Sequence, residues 1–152
     1  MGLGDHFLKM ETLIQREMED VFDFFSKAQN LELITPPELG FSITSPTPIA
    51  MRQGTLINYK IRLFGVRFQW KTLISEWKPQ RLFVDEQLKG PYAKWIHTHI
   101  FEPTENGVLI KDEVLYRLPF FPFGEIMFPV VHQQLKRIFK YRALRINELL
   151  KV

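Results

Sequence analysis

His97 and His99 stand two residues apart in the segment KWIHTHIF, and Asp85 and Asp112 stand in two neighbouring segments that alternate in the same way. Residues two apart on a strand share a face. One face of 81–88 carries Phe83, Asp85 and Gln87; one face of 94–101 carries Trp95, His97, His99 and Phe101. The segment 108–118 places Asp112 on an otherwise apolar face with Val108, Ile110, Val114, Tyr116 and Leu118. If the faces bearing aromatic residues turn inward, Asp85, Gln87, His97, His99 and Asp112 meet in one interior. The opposite face of 94–101, with Ile96, Thr98 and Ile100, is also apolar enough for burial. Trp95 and Phe101, and the clear alternation of the flanking segments, favour the histidine face.

Buried charge is costly unless paired, so these groups should partner one another. Several uses are compatible with the pattern. The bland one is a satisfied internal network of Asp to His and Asp to Arg142. The second is a polar end to an apolar pocket, orienting a ligand through a few fixed hydrogen bonds. The third is general acid–base chemistry, with an imidazole held by a carboxylate titrating near neutral pH. That use makes His97, His99, Asp85 and Asp112 the catalytic candidates. His-x-His with Asp85 or Asp112 could also chelate zinc, but the pattern is short and common and nothing further supports it. The reading therefore assigns no metal and no cofactor. Gly-rich phosphate loops and the G-x-S-x-G nucleophile motif are missing.

The elements that must position these residues follow from periodicity. His6–Ile14 alternates as a first strand. Met18, Val21, Phe22 and Phe25 form a helical stripe in 16–26, and a second short helix over 28–34 should stop at Thr35-Pro36-Pro37. A short strand is expected at 41–44. From Gly54 onward the period is two: 54–64, a turn at Gly65-Val66, 67–77, a turn at 78–80, then the two strands around Lys89–Ala93. EPTENG (102–107) reads as a turn before the last strand. Consecutive strands with short turns make an antiparallel meander. After LPFFPF (118–123), a long helix should run from about Met127 or Pro129 to Leu150, with Val131, Leu135, Ile138, Arg142, Ile146 and Leu149 along one stripe and Phe139 beside it.

At 152 residues the chain is long enough for one domain, 1–152, with a sizeable core. There is no cysteine, which excludes disulfides, thiolate metal sites and Cys nucleophiles. The start lacks a signal-peptide pattern, and His6 breaks the myristoylation motif; no apolar run is long enough to span a bilayer. The expected location is cytoplasmic. The net charge of +3 is concentrated late, at Lys136, Arg137, Lys140, Arg142, Arg145 and Lys151, which reads as a solvated helix face or as a site for an anionic partner. Aromatics read as core or pocket wall, not as a stacking platform for bases, so no nucleic acid is expected.

Strand, two short helices, a long meander and a final amphipathic helix: this order resembles the helix-grip fold, an α+β architecture in which a curved antiparallel sheet wraps the last helix. It is the fold of the SRPBCC superfamily, with its START lipid-transfer domains, plant pathogenesis-related allergens and polyketide cyclase/dehydratase-like proteins. The blocks DEQLKGPYAKWIHTH and IFKYR resemble a bacterial subgroup of small stand-alone members, and the likeness covers nearly the whole chain. It implies a cavity between sheet and helix but brings no catalytic residue set. Tyr59, Trp70, Phe83, Trp95, Phe101 and Tyr116, with Phe139, would be its walls. Asp85, Gln87, His97, His99, Asp112 and Arg142 would form its polar end. The expected function is binding of a small, largely apolar molecule: a lipid, a polyketide or an aromatic metabolite. A cyclase or dehydratase using the His and Asp groups is the alternative. The chain departs from the subgroup at Pro119–Phe123, where a Gly-rich link would be expected. There Phe120 and Phe121 would either lid the cavity or, together with the basic helix, touch a membrane or a protein.

Overall fold

The computed structural model describes residues 2–150. The alternating segments form a single antiparallel sheet: β1 (Asp5–Ile14), β2 (Ser42–Ile43), β3 (Leu56–Leu63), β4 (Val66–Lys78), β5 (Leu82–Lys89), β6 (Lys94–Thr104) and β7 (Gly107–Arg117). Their order across the sheet is β1-β7-β6-β5-β4-β3-β2. β2 to β7 run in sequence order, and β1 pairs with β7 along its length, from Asp5↔Arg117 to Ile14↔Val108. Helix α1 (Met18–Phe25) follows β1, and helix α2 (Phe128–Leu149) closes the chain against the inner face of the sheet. This is the helix grip expected from the sequence, with a curved sheet around the last helix. Among the described residues no helix is long and apolar enough to cross a membrane.

Several details differ from the periodicity. The second short helix is a 3₁₀ segment, Ala28–Glu32, followed by another at Pro37–Leu39. Pro36 and Pro37 have no N–H, so an α-helical ladder cannot continue through them. The β3–β4 turn is Phe64-Gly65, one residue earlier than expected, with Leu63 paired to Val66. Both turn residues have positive φ, 50° and 78°, as a two-residue hairpin that follows the strand twist requires. β6 runs on through Glu102 and Pro103 to Thr104. Its pairing with β5 ends at Leu82↔Ile100, so the missing N–H of Pro103 interrupts no ladder on that side. Leu149, placed on the buried stripe of α2 by its spacing, is exposed.

Two apolar clusters fill the grip. One joins the first half of α2 (Val131, Leu135, Phe139) to Trp70, Trp95 and Tyr116. The other joins α1 (Val21, Phe22, Phe25) and Ile146 of α2 to Phe83 and Phe101. The Phe22 ring meets Phe101 edge-on at 5.1 Å. On β6 Trp95 belongs to the first cluster and Phe101 to the second, so the residues between them, His97 and His99, lie at the seam.

Candidate functional site

β6 presents Trp95, His97, His99 and Phe101 to the interior, all buried, while Ile96, Thr98 and Ile100 are only half-buried. The histidine face is therefore the inner one. Register places Asp85 of β5 opposite His97, and Asp112 of β7 opposite His99. The shortest hydrogen bonds run diagonally instead. His99 Nε2 lies 2.5 Å from Asp85 Oδ2, and His97 Nε2 lies 2.7 Å from Asp112 Oδ1. The direct pairs are longer, with His97 Nδ1 3.7 Å from Asp85 Oδ2 and His99 Nδ1 3.5 Å from Asp112 Oδ1. The imidazoles stack on each other at 3.6 Å between centroids, and His99 stacks on Phe83 at 4.0 Å.

Charge follows from this packing. Burial pushes both carboxyls toward the neutral form, but attraction to the imidazoles and to Arg142, together with the hydrogen bonds, outweighs it and holds Asp85 and Asp112 below the usual carboxylate value. Burial pushes His99 down to about 4, reinforced by the neighbouring His97 and opposed by Asp85 and Asp112. With the carboxylates ionised, each imidazole Nε2 carries the proton and donates it. Neutral His99 is left with Nδ1 as an acceptor, buried and without a partner.

Chelation of an ion fits this arrangement less well. Donor atoms of Asp85, His97 and His99 lie within 4.8 Å of one another. A metal bound by imidazole lies in the ring plane, about 2 Å from the nitrogen. The two imidazoles are stacked at 3.6 Å and inclined by 25°. In this arrangement both Nε2 atoms are engaged by carboxylates, which leaves the group set up for proton sharing.

Beside the quartet is a cavity of about 120 Å³ between the sheet, α2 and the 3₁₀ segments. Of the residues read from the sequence, Tyr59, Trp70, Phe83, Asp85, Trp95, His97, His99, Phe139 and Arg142 line it. Asp112 stands behind His97 as its acceptor. Gln87 shares the inner face, yet its amide is occupied: Nε2 donates to the Tyr92 carbonyl at 2.6 Å, and Oε1 accepts from the Tyr92 N–H at 3.1 Å. Phe101 lies in the α1 cluster, and the Tyr116 hydroxyl meets His132 Nδ1 at 2.8 Å. Neither lines the cavity.

The Phe-rich loop does not line the cavity. It lies beyond the end of β7, where the Phe121 ring packs so closely on Gly4 that a β-carbon there would come within 2.7 Å of it. Phe120 and Phe123 point to solvent. The late basic segment is not one free face either. Arg142 turns inward, Arg137 pairs with Glu38, and Arg145 pairs with Glu148; Lys151 lies outside the described residues.

Sequence reasoning misses Thr72 and Tyr92 as cavity residues. Thr72 is legible, since it lies between Trp70 and Ile74 on the inner face of β4. Tyr92 falls in an expected turn; Gln87 clamps its backbone, and its ring packs against Trp70 and Trp95. Also missed is the wall supplied by Leu31, Ile34 and Leu39, which the irregular chain between α1 and β2 brings over the sheet. Leu31 and Ile34 lie in the expected second short helix and Leu39 in a loop, and neither pattern gives an inward direction.

No family model matches the chain, and neither does any curated protein. Solved structures do match. The protein TTHA0849 from Thermus thermophilus is 17% identical, with a TM-score of 0.71 over 95% of this chain and 97% of that one. Ginseng major latex-like protein 151 from Panax ginseng is 8% identical, with a TM-score of 0.65 over 98% and 99%. A nucleoside-diphosphate sugar epimerase from Corynebacterium glutamicum is 24% identical, with a TM-score of 0.68 over 95% of this chain and 29% of its own. At these identities the likeness is one of fold, and the fold is the helix grip.

Proposed function

We propose that this protein binds a small, largely apolar molecule with a polar end in the cavity between sheet and α2. One observation carries the reading. Trp70 Nε1, His99 Nδ1 and Arg142 Nε are buried without partners, and all three residues line that cavity. Orphaned buried polar atoms are costly and few in folded proteins, and a ligand would satisfy them. Trp70 and Arg142 can only donate, and neutral His99 accepts at Nδ1. The complementary ligand offers a carbonyl or carboxyl oxygen to the donors and a hydroxyl to His99. Its body is apolar, to match Ile57, Ile61, Leu135 and Ile138. A cavity of about 120 Å³ is near the roughly 150 Å³ that accommodates one benzene ring. Among the lipid, polyketide and aromatic classes, this favours a compact aromatic metabolite. The likeness to small stand-alone bacterial SRPBCC proteins supports the same reading.

Native mass spectrometry of the purified protein, followed by denaturation, tests this. The expected result is a released small molecule, or a thermal shift with single-ring hydroxylated aromatic acids or ketones that Arg142→Met removes. An adduct-free protein that no such compound stabilises would refute it. A second reading rests on His99 itself: its Nε2–H is fixed on Asp85 and its Nδ1 is unpartnered, so Nδ1 is the atom that would take a proton from a bound molecule, as a weak base, since burial holds His99 down at about 4 and not near neutral pH. A cyclase or dehydratase would use it this way. His99→Gln would then keep ligand affinity and lose turnover.

A further inference from the structure

The strand directions bring several separate segments to one end of the sheet. β3 ends and β4 begins there, at the Phe64-Gly65 turn; β7 ends there and leads into the 119–127 loop; β1 begins there. Phe120 is 83% exposed, Phe123 78% and Ile126 81%, while Phe64 and Val66 at the hairpin tip are 53% and 54% exposed. The β3–β4 hairpin also projects. The last β4–β5 pair is Lys71↔Lys89, so residues 66–70 overhang β5, by about 16 Å if fully extended. The two apolar tips are separated by β6 and β5, about 14 Å at ordinary strand spacing.

The same end is cationic. Arg62 and Arg67 face each other directly across the hairpin, and Lys71 faces Lys89. Like charges in direct cross-strand register are destabilising unless something neutralises them. Among the described residues none of these four forms an ion pair. The carboxylates at this end are already engaged. Asp5 is shared by Lys94 and Arg117, and Glu125 is held by His6 at 2.7 Å. What remains is two apolar tips, with unpaired cations at the hairpin tip and on the strand ends beside it.

We infer that this end docks on the surface of an anionic phospholipid bilayer. Phe64, Phe120, Phe123 and Ile126 enter the acyl boundary, and Arg62, Arg67 and Lys89 lie among the headgroups. A bilayer suits these features better than a protein partner. The apolar residues stand on two separate tips, not on a continuous face that a second protein could pack against. Surface-bound segments join lipids through buried apolar area plus attraction of cations to anionic headgroups. The inference does not depend on what fills the cavity, because neither Phe120 nor Phe123 lines it.

Co-sedimentation of the full chain with vesicles of phosphatidylcholine plus phosphatidylserine, against phosphatidylcholine alone, tests it. Binding is expected only to the mixed vesicles and should weaken as salt is raised. Phe120→Ser/Phe123→Ser should reduce it more than about tenfold. Arg62→Gln/Arg67→Gln should reduce it about 25-fold, from about fivefold per cation at the membrane surface. All four positions are exposed, so circular dichroism and melting should match the parent. Absence of binding to the mixed vesicles would overturn the inference, as would binding unchanged in both variants. So would a dimer in sedimentation velocity that Phe120→Ser/Phe123→Ser dissociates without any vesicle affinity in the parent, since a second copy would then be what covers this end.

Discussion

Acidification should destabilise this protein through His99 well before its carboxylates titrate. The ring is sandwiched between Phe83 and His97, and its folded value is about 4 against an ordinary 6.5. The unfolded chain therefore binds this proton more tightly than the folded one, and stability rises with pH across that window. The contribution of neutral His99 is fully present above about pH 6.5 and is lost as pH falls toward 4, a span worth about 3 kcal/mol. Between about pH 7 and 4.5 the loss is about 2 kcal/mol. With a urea dependence near 2 kcal/mol per molar, the unfolding midpoint should drop by about 1 M. Asp85 and Asp112 are held below the usual carboxylate value, so their contributions disappear only at lower pH. His132 is lowered by burial, Lys136 and His6 and acts in the same direction, so the decisive quantity is a difference. Urea unfolding of the parent and of His99→Gln at both pH values isolates it. The parent should lose about 1 M more in midpoint than the variant. Equal pH dependence in the two proteins would refute the argument that burial of His99 sets its charge.

Asp112→Ala removes the acceptor of His97 Nε2 and should cost about 3 kcal/mol in urea unfolding, whereas Asp112→Asn, which keeps a carbonyl acceptor, should cost clearly less. Gln87→Leu breaks both bonds to the Tyr92 backbone; hydrogen exchange at the Tyr92 amide should accelerate, with a loss of about 2 kcal/mol. Gly107→Ala should destabilise by more than about 2 kcal/mol, because a β-carbon there would lie 2.1 Å from the Ile14 carbonyl oxygen and φ is 137°. A fully folded Gly107→Ala protein with an unchanged melting temperature would show that the β1–β7 crossing yields more easily than its geometry indicates.

The meander, the two-fold alternation and the stripe of α2 are legible in the sequence because burial on one face imposes a period that survives there. The inward turn of Asp85, His97, His99 and Asp112 is legible for the same reason, through Trp95 and Phe101. Which carboxylate bonds which imidazole is not. Register alone pairs Asp85 with His97, whereas the short bond runs diagonally, to His99. Gln87 reads as a cavity residue because alternation reports a face but not where a flexible amide ends; a nearby pair of backbone groups claims it. The Phe-rich loop is misplaced by sequence reasoning because no periodicity fixes a loop's direction. Its position follows from the Phe121–Gly4 packing and the His6–Glu125 bond, which join residues more than a hundred positions apart.

The pairing of β1 with β7 also sets an order of assembly. β3 to β7 pair with chain neighbours through short connections, whereas every β1–β7 pair joins residues about a hundred positions apart, and closing such a loop is entropically slow. β1 therefore emerges first and waits longest for its partner. During that wait, and afterwards as a sheet edge, it is open to pairing with other chains. Lys9 and Glu11, exposed on its outward face, guard that edge, and replacing both with apolar residues would be expected to trade refolding yield for aggregation while leaving the finished fold intact.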